Sequence, residues 1–146
     1  MASAWLIRKY IDPEARFAFV ASPEQAPSDA VSFDMYGVEF GHHGARCTME
    51  TLIGRFTISD VATTRLSQVV HDLDLKETTY GLPECAATGR LIDGLRQLYA
   101  DDQALLAQGM ILMEALYCSF ASEQSEKTPR LGPRSRHPQH SKAKQK

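Results

Sequence analysis

The spacing of apolar residues between Pro83 and Phe120 constrains the fold of this 146-residue chain more than any other feature. Apolar side chains recur there every three or four residues, a spacing that places them on one face of an α-helix. The first stripe consists of Leu91, Ile92, Leu95, Leu98 and Tyr99, and the second of Leu105, Leu106, Gly109, Leu112, Met113, Leu116, Tyr117 and Phe120. Between the two stripes, Asp101 and Asp102 provide a new helix start. The pattern predicts two antiparallel helices.

The first half of the chain adds shorter elements. Helical spacing predicts one helix from Thr48 through Phe56 and another from a cap at Ser59 to about Leu75. Residues 4–11 form a short helix or a strand, and residues 17–20 and 31–35 have strand composition. Since isolated strands are not stable, we expect the last two to pair. The predicted fold is a mostly helical α+β domain, with four to five helices and a small two-stranded sheet near the N-terminus.

The charges divide the chain into two parts. Residues 1–126 contain nine Lys and Arg residues against all 18 acids, whereas residues 127–146 contain seven basic residues and no acid. We therefore expect a domain over residues 1–122 and a disordered basic tail over residues 123–146. The acidic domain is not expected to bind nucleic acid.

The three cysteines are too few, and odd in number, for a disulfide framework. No secretory leader is recognisable, and no uninterrupted apolar run has the length of a membrane span. These features favour a cytoplasmic protein without a membrane partner.

A glycine-punctuated stretch, residues 36–50 (YGVEFGHHGARCTME), concentrates reactive side chains. Glu39, His42, His43 and Cys47 are all residue types that bind metal ions, and the glycines favour a compact loop. His71 and Asp74 lie three residues apart on one face of the third predicted helix. The pattern suggests a divalent transition metal of unknown identity, although solvated histidines and a buried cysteine would also account for it.

Two further roles are open for this loop. Cys47 precedes a helix start and follows Arg46, an environment that lowers a thiol pKa and would make Cys47 a reactive, catalytic thiolate. Arg46, together with backbone N–H groups, is also suited to holding an oxyanion.

Several segments, taken together, resemble the C-terminal domain of the chromate-resistance protein ChrB. They are WLIRKYIDPEARFAFV (5–20), FDMYGVEFGHHGARCTMETL (33–52), VVHDLDLKE (69–77), YGLPE (80–84) and LYADDQALLAQGM (98–110). The resemblance implies a role in chromate sensing or detoxification. The matching pattern includes Glu39, His42, Arg46, Cys47, His71, Asp72 and Asp74. It departs at Ser3 and Ala4, where family members commonly carry a Cys-Pro pair, which puts a two-thiol mechanism in doubt.

Three hypotheses follow. The first is a domain that binds a metal ion or chromate, with Glu39, His42, Cys47, His71 and Asp74 as metal ligands and Arg46 as an anion contact. The second is a metal- or thiol-dependent reductase or transferase that uses Cys47. The third is a helical interaction domain without a small-molecule site. A homodimer is compatible with all three.

Overall fold

A computed structural model describes residues 1–127, which form five α-helices joined by irregular segments. The helices are α1 (Ala2–Leu6), α2 (Thr48–Arg55), α3 (Val61–Leu75), α4 (Glu84–Leu98) and α5 (Asp102–Lys127). A π-helical turn, Ile7–Ile11, extends α1, and a 3-10 turn occupies Pro23–Gln25. The predicted helices are thus present, and α5 continues to Lys127, past the predicted domain boundary. The remainder of the predicted tail lies outside the described residues.

The predicted two-stranded sheet is wrong. Between residues 1 and 127 the backbone forms no strand, only isolated bridges between Phe33 and Phe40 and between His43 and Arg46. The two predicted strands are joined by no ladder, and the Phe17 and Phe33 rings meet edge-on with centroids 5.7 Å apart. Asp34 has a φ of 54°, a left-handed conformation that interrupts the second segment and prevents a continuous ladder.

The core forms around α3, which packs against α2, α4 and α5. Its buried apolar side chains, which include Leu66 and Val69, belong to one cluster with buried residues of α1, α2 and α5. Partly buried side chains of α4 pack against this cluster. The largest buried side chains are Phe120, Leu6, Met49, Leu52, Leu66 and Met113. The cap of α3 is Asp60, one residue after the predicted cap Ser59, and its carboxylate accepts the Thr63 N–H at 2.7 Å.

Helix α5 presents one face to this core, where Leu106, Met113 and Phe120 are buried at intervals of seven residues. Its segment Asp102–Ser125 is also long and apolar enough to cross a membrane, with a mean hydropathy of 1.5. Length and composition alone do not separate a span from a core helix, since core helices of soluble proteins satisfy the same criterion. Only 22% of an 18-residue apolar window within this segment is buried, so much of α5 faces outward.

Candidate functional site

A cluster of three potential metal ligands lies where the start of α2 meets α3. One donor atom from each of Cys47, Glu50 and His71 lies within 4.8 Å of the others. Cys47 is completely buried, His71 is 4% exposed and Glu50 is partly buried. Sulfur, carboxylate oxygen and imidazole nitrogen are the three donor types that proteins use to bind zinc. The cluster therefore has the chemistry of a transition-metal centre.

Glu50 connects the other two members. It lies in the first turn of α2, where one carboxylate oxygen accepts the backbone N–H of Cys47 at 3.0 Å. The same oxygen lies 2.8 Å from Nδ1 of His71, which donates to it. The second carboxylate oxygen accepts the Tyr80 hydroxyl at 3.3 Å. The helix cap and the candidate site thus share a single carboxylate.

The second ring nitrogen of His71 has no comparable partner. Nε2 is buried and makes no hydrogen bond within residues 1–127, although a Glu77 oxygen lies 3.5 Å away. A buried nitrogen without a hydrogen bond is costly, so such atoms mark sites where an ion or proton would be stabilised. Because Glu50 and Glu77 face opposite ring nitrogens, an ion bound at either nitrogen would leave the other beside a carboxylate. That arrangement fixes the ring and strengthens a histidine ligand.

The environment sets the protonation of the two partners of Glu50. Burial raises the pKa of the Cys47 thiol to about 12, and the neighbouring Glu50 carboxylate adds to this effect. The hydrogen bond that His71 donates to the Glu50 carboxylate raises the pKa of His71 and outweighs the opposing effect of burial. Without a metal ion, Cys47 is therefore a neutral thiol at pH 7. This is the reverse of the lowered pKa that the thiolate hypothesis requires.

The connection between α3 and α4 folds over the cluster. The Asp72 carboxylate accepts the backbone N–H groups of Tyr80 at 3.2 Å and Gly81 at 2.8 Å. Gly81 has a φ of 58°, a conformation that favours glycine. The Tyr80 ring consequently stands edge-on against His71, with centroids 5.1 Å apart. Asp72 thus positions a loop that supplies both Tyr80 and Glu77 to the site.

His42 and Asp74, two other ligands predicted from the sequence, line a separate cavity of about 270 Å³. Asp34 and Arg96 also line it. Poor solvation raises the pKa of Asp74, and Asp34 raises it further, whereas His42 lowers it. Asp74 in turn adds to the raised pKa of Cys47, although none of Cys47, Glu50 and His71 lines the cavity. The structure thus brings His42 close to Asp74, and Cys47 close to His71.

The remaining predicted residues lie apart from both groups. Glu39 is exposed and forms an ion pair with Arg55 at 2.8 Å, with both side chains about two-thirds exposed. Arg46 is exposed, and no ion pair to it forms in the described part of the chain. Neither residue joins the group of donors around Cys47.

Sequence reasoning missed Glu50, Glu77 and Tyr80. Glu50 would have stood out only with the cap at Cys47, one residue before the predicted cap Thr48, because it then occupies the capping-box position three residues later. Glu77 and Tyr80 carry no such local signal, because the loop that contains them is positioned by Asp72 in the folded chain.

Comparison with known proteins agrees with the resemblance seen in the sequence. The chain is 37% identical over 125 residues to Protein ChrB of Cupriavidus metallidurans, a match that covers 84% of this chain and 37% of that protein. The chain thus spans less than two-fifths of the length of this relative. No solved structure matches the present chain. The family model described as "ChrB, C-terminal domain" matches residues 1–120. The chain therefore belongs to the ChrB C-terminal domain family.

Proposed function

We propose that this domain binds a divalent transition metal ion through Cys47, Glu50 and His71, and that it serves chromate sensing or tolerance in the cytoplasm. The observation that carries the proposal is the convergence of three different donor types within 4.8 Å, next to a buried imidazole nitrogen without a hydrogen bond. Membership of the ChrB C-terminal domain family supports the link to chromate resistance.

The donor set favours an ion of the zinc type. Thiolate and imidazole ligands suit borderline-soft metals, whereas magnesium and calcium prefer oxygen ligands alone. Three protein ligands leave a fourth position for water or an exogenous group, as in catalytic zinc sites. Tyr80, which donates a hydrogen bond to Glu50, and Glu77, which lies 3.5 Å from His71, are protein groups that could occupy or shield this position.

The charge of the site favours a cation over chromate itself. Glu50 and Glu77 flank His71, and Asp72 and Asp74 lie on the same helix. A chromate dianion would be repelled by these carboxylates unless a bound metal ion compensated for their charge. Chromate could therefore reach the domain through a bound metal ion or through a cationic side chain elsewhere, such as exposed Arg46.

Metal analysis of purified variants tests the proposal and separates the two sets of candidate ligands. Wild type should bind about one equivalent of zinc, and both Cys47→Ser and His71→Gln should reduce binding at least tenfold without loss of helical circular dichroism. Glu39→Gln and His42→Gln are matched controls, which should bind metal as wild type does. Absence of metal binding by wild type, or full binding by Cys47→Ser and His71→Gln, would refute the proposal.

A further inference from the structure

Helix α4 exposes an apolar stripe that no other part of residues 1–127 covers. Only Thr88 of this 15-residue helix is buried. Leu91 and Leu98 are 56% and 76% exposed. With Ala87 and Gly94 they follow a spacing of four, three and four residues, which is the heptad pattern of a helix-pairing seam. A side-chain carbon built at Gly94 would meet no atom within 4 Å, so the stripe contains an open hollow beside Leu91.

We propose that this stripe, residues 87, 91, 94 and 98, pairs with the same stripe of a second copy in antiparallel orientation. About a two-fold axis at the middle of the stripe, residues at equal distances from the centre face each other. Leu91 then lies opposite Gly94 of the second copy, and Leu98 lies opposite Ala87. Each large side chain meets a small residue, so the stripe is complementary to itself and two helices can approach closely. In a parallel pair, leucine would face leucine and glycine would face glycine, which leaves a gap.

Charge on the flank of the stripe favours the same orientation. Arg90 borders the stripe on its solvent side and has no ion pair among residues 1–127. In the antiparallel register, Arg90 lies opposite position 95 of the second copy. Asp93 of that copy is two residues from this position, an offset of about 3 Å along the helix axis. Asp93 is exposed, and its one ion pair among the described residues is with Arg96 of its own helix, at 3.1 Å. In a parallel pair, Arg90 and Asp93 of the two copies would lie on opposite sides of the seam and could not pair.

The length of the stripe sets the strength of the contact. A 15-residue helix is about 22 Å long, so one helix pair falls short of the roughly 1,200 Å² that stable interfaces bury. The association should therefore be reversible and depend on protein concentration. It involves none of the proposed metal ligands, so the two proposals can fail independently.

Sedimentation equilibrium of the full 146-residue chain tests this contact. In the presence of a chelator, the weight-average mass of wild type should rise from 16.2 kDa towards twice that value as concentration approaches about 1 mM. Gly94→Leu fills the hollow that receives Leu91, and because the hollow is open in a single copy, the variant should fold normally. It should weaken association at least tenfold. Val61→Glu, at a comparably exposed position on α3, is the matched control and should associate as wild type does.

A charge exchange tests the orientation. Arg90→Glu should weaken association severalfold, and the double variant Arg90→Glu/Asp93→Arg should restore it. Wild type that remains monomeric near 1 mM, or Gly94→Leu that associates like wild type, would overturn the proposal. Equal association of the single and double charge variants would overturn the antiparallel register.

Discussion

Replacing Glu50 with alanine should destabilise the metal-free domain far more than a partly exposed carboxylate normally would. The change removes the acceptor of the Cys47 N–H at the start of α2, a loss of about 1 kcal/mol. It also removes the charged acceptor of Nδ1 of buried His71, a further loss of about 2–3 kcal/mol. The free energy of unfolding should therefore fall by about 3–4 kcal/mol, a large share of the roughly 5–15 kcal/mol typical of a domain.

Urea unfolding followed by circular dichroism at pH 7, with a chelator present, measures this loss. Glu50→Gln keeps an acceptor for both contacts but not the charge, so it should lose only about 1–2 kcal/mol. Glu39→Ala is the control, because its exposed ion pair with Arg55 contributes at most about 1 kcal/mol. A loss below about 1 kcal/mol in Glu50→Ala would show that Glu50 does not connect the cap to His71.

The same variants should differ in the effect of pH. The folded-state pKa of His71 is raised, mainly by Glu50. Its ion pair therefore stabilises the fold fully below the unfolded pKa of about 6.5 and is lost as pH rises through the higher folded value. Wild type should lose this contribution as pH rises above the unfolded pKa and through the raised folded pKa, and Glu50→Gln should show a flatter profile over that range. Identical profiles would contradict the assignment of the His71 pKa shift to Glu50.

Three further outcomes are expected. Zinc affinity should rise with pH, since binding must displace the Cys47 proton. Calorimetry in buffers of different ionisation enthalpy would detect the released protons, and binding without proton release would argue against a thiolate ligand. In native protein at pH 8, exposed Cys118 should react with a thiol reagent well before Cys47, as mass spectrometry of the labelled peptides would show; equal rates would contradict the burial of Cys47. Gly94→Ala should stabilise the monomer by about 0.5–1 kcal/mol in urea titrations at low protein concentration, because helix propensity improves and the site is open; a destabilised variant would contradict the open site.

Much of the helical architecture was predictable because it depends on local spacing. The stripe that contains Leu106, Met113 and Phe120 is buried as its periodicity indicates. The stripe on α4 was predicted equally well as a helix, yet Leu91 and Leu98 are exposed. Periodicity identifies residues that share a face, but whether that face is covered depends on which other elements pack against it. The same limit explains the predicted sheet, since strand composition in residues 17–20 and 31–35 cannot supply a ladder partner.

The candidate site shows where local information ends. Cys47 and Glu50 lie within one helical turn, so their proximity follows from the sequence alone, as does the family resemblance carried by residues 5–110. His71 contacts Glu50 because α3 packs against α2. Tyr80 lies beside His71 because the Asp72 carboxylate accepts hydrogen bonds from the loop that contains Tyr80. Tertiary packing also decided that Glu39 pairs with Arg55 at the surface, whereas His42 and Asp74 share a cavity. Side chains far apart in sequence become neighbours through burial of apolar helix faces, and local spacing does not encode which faces meet.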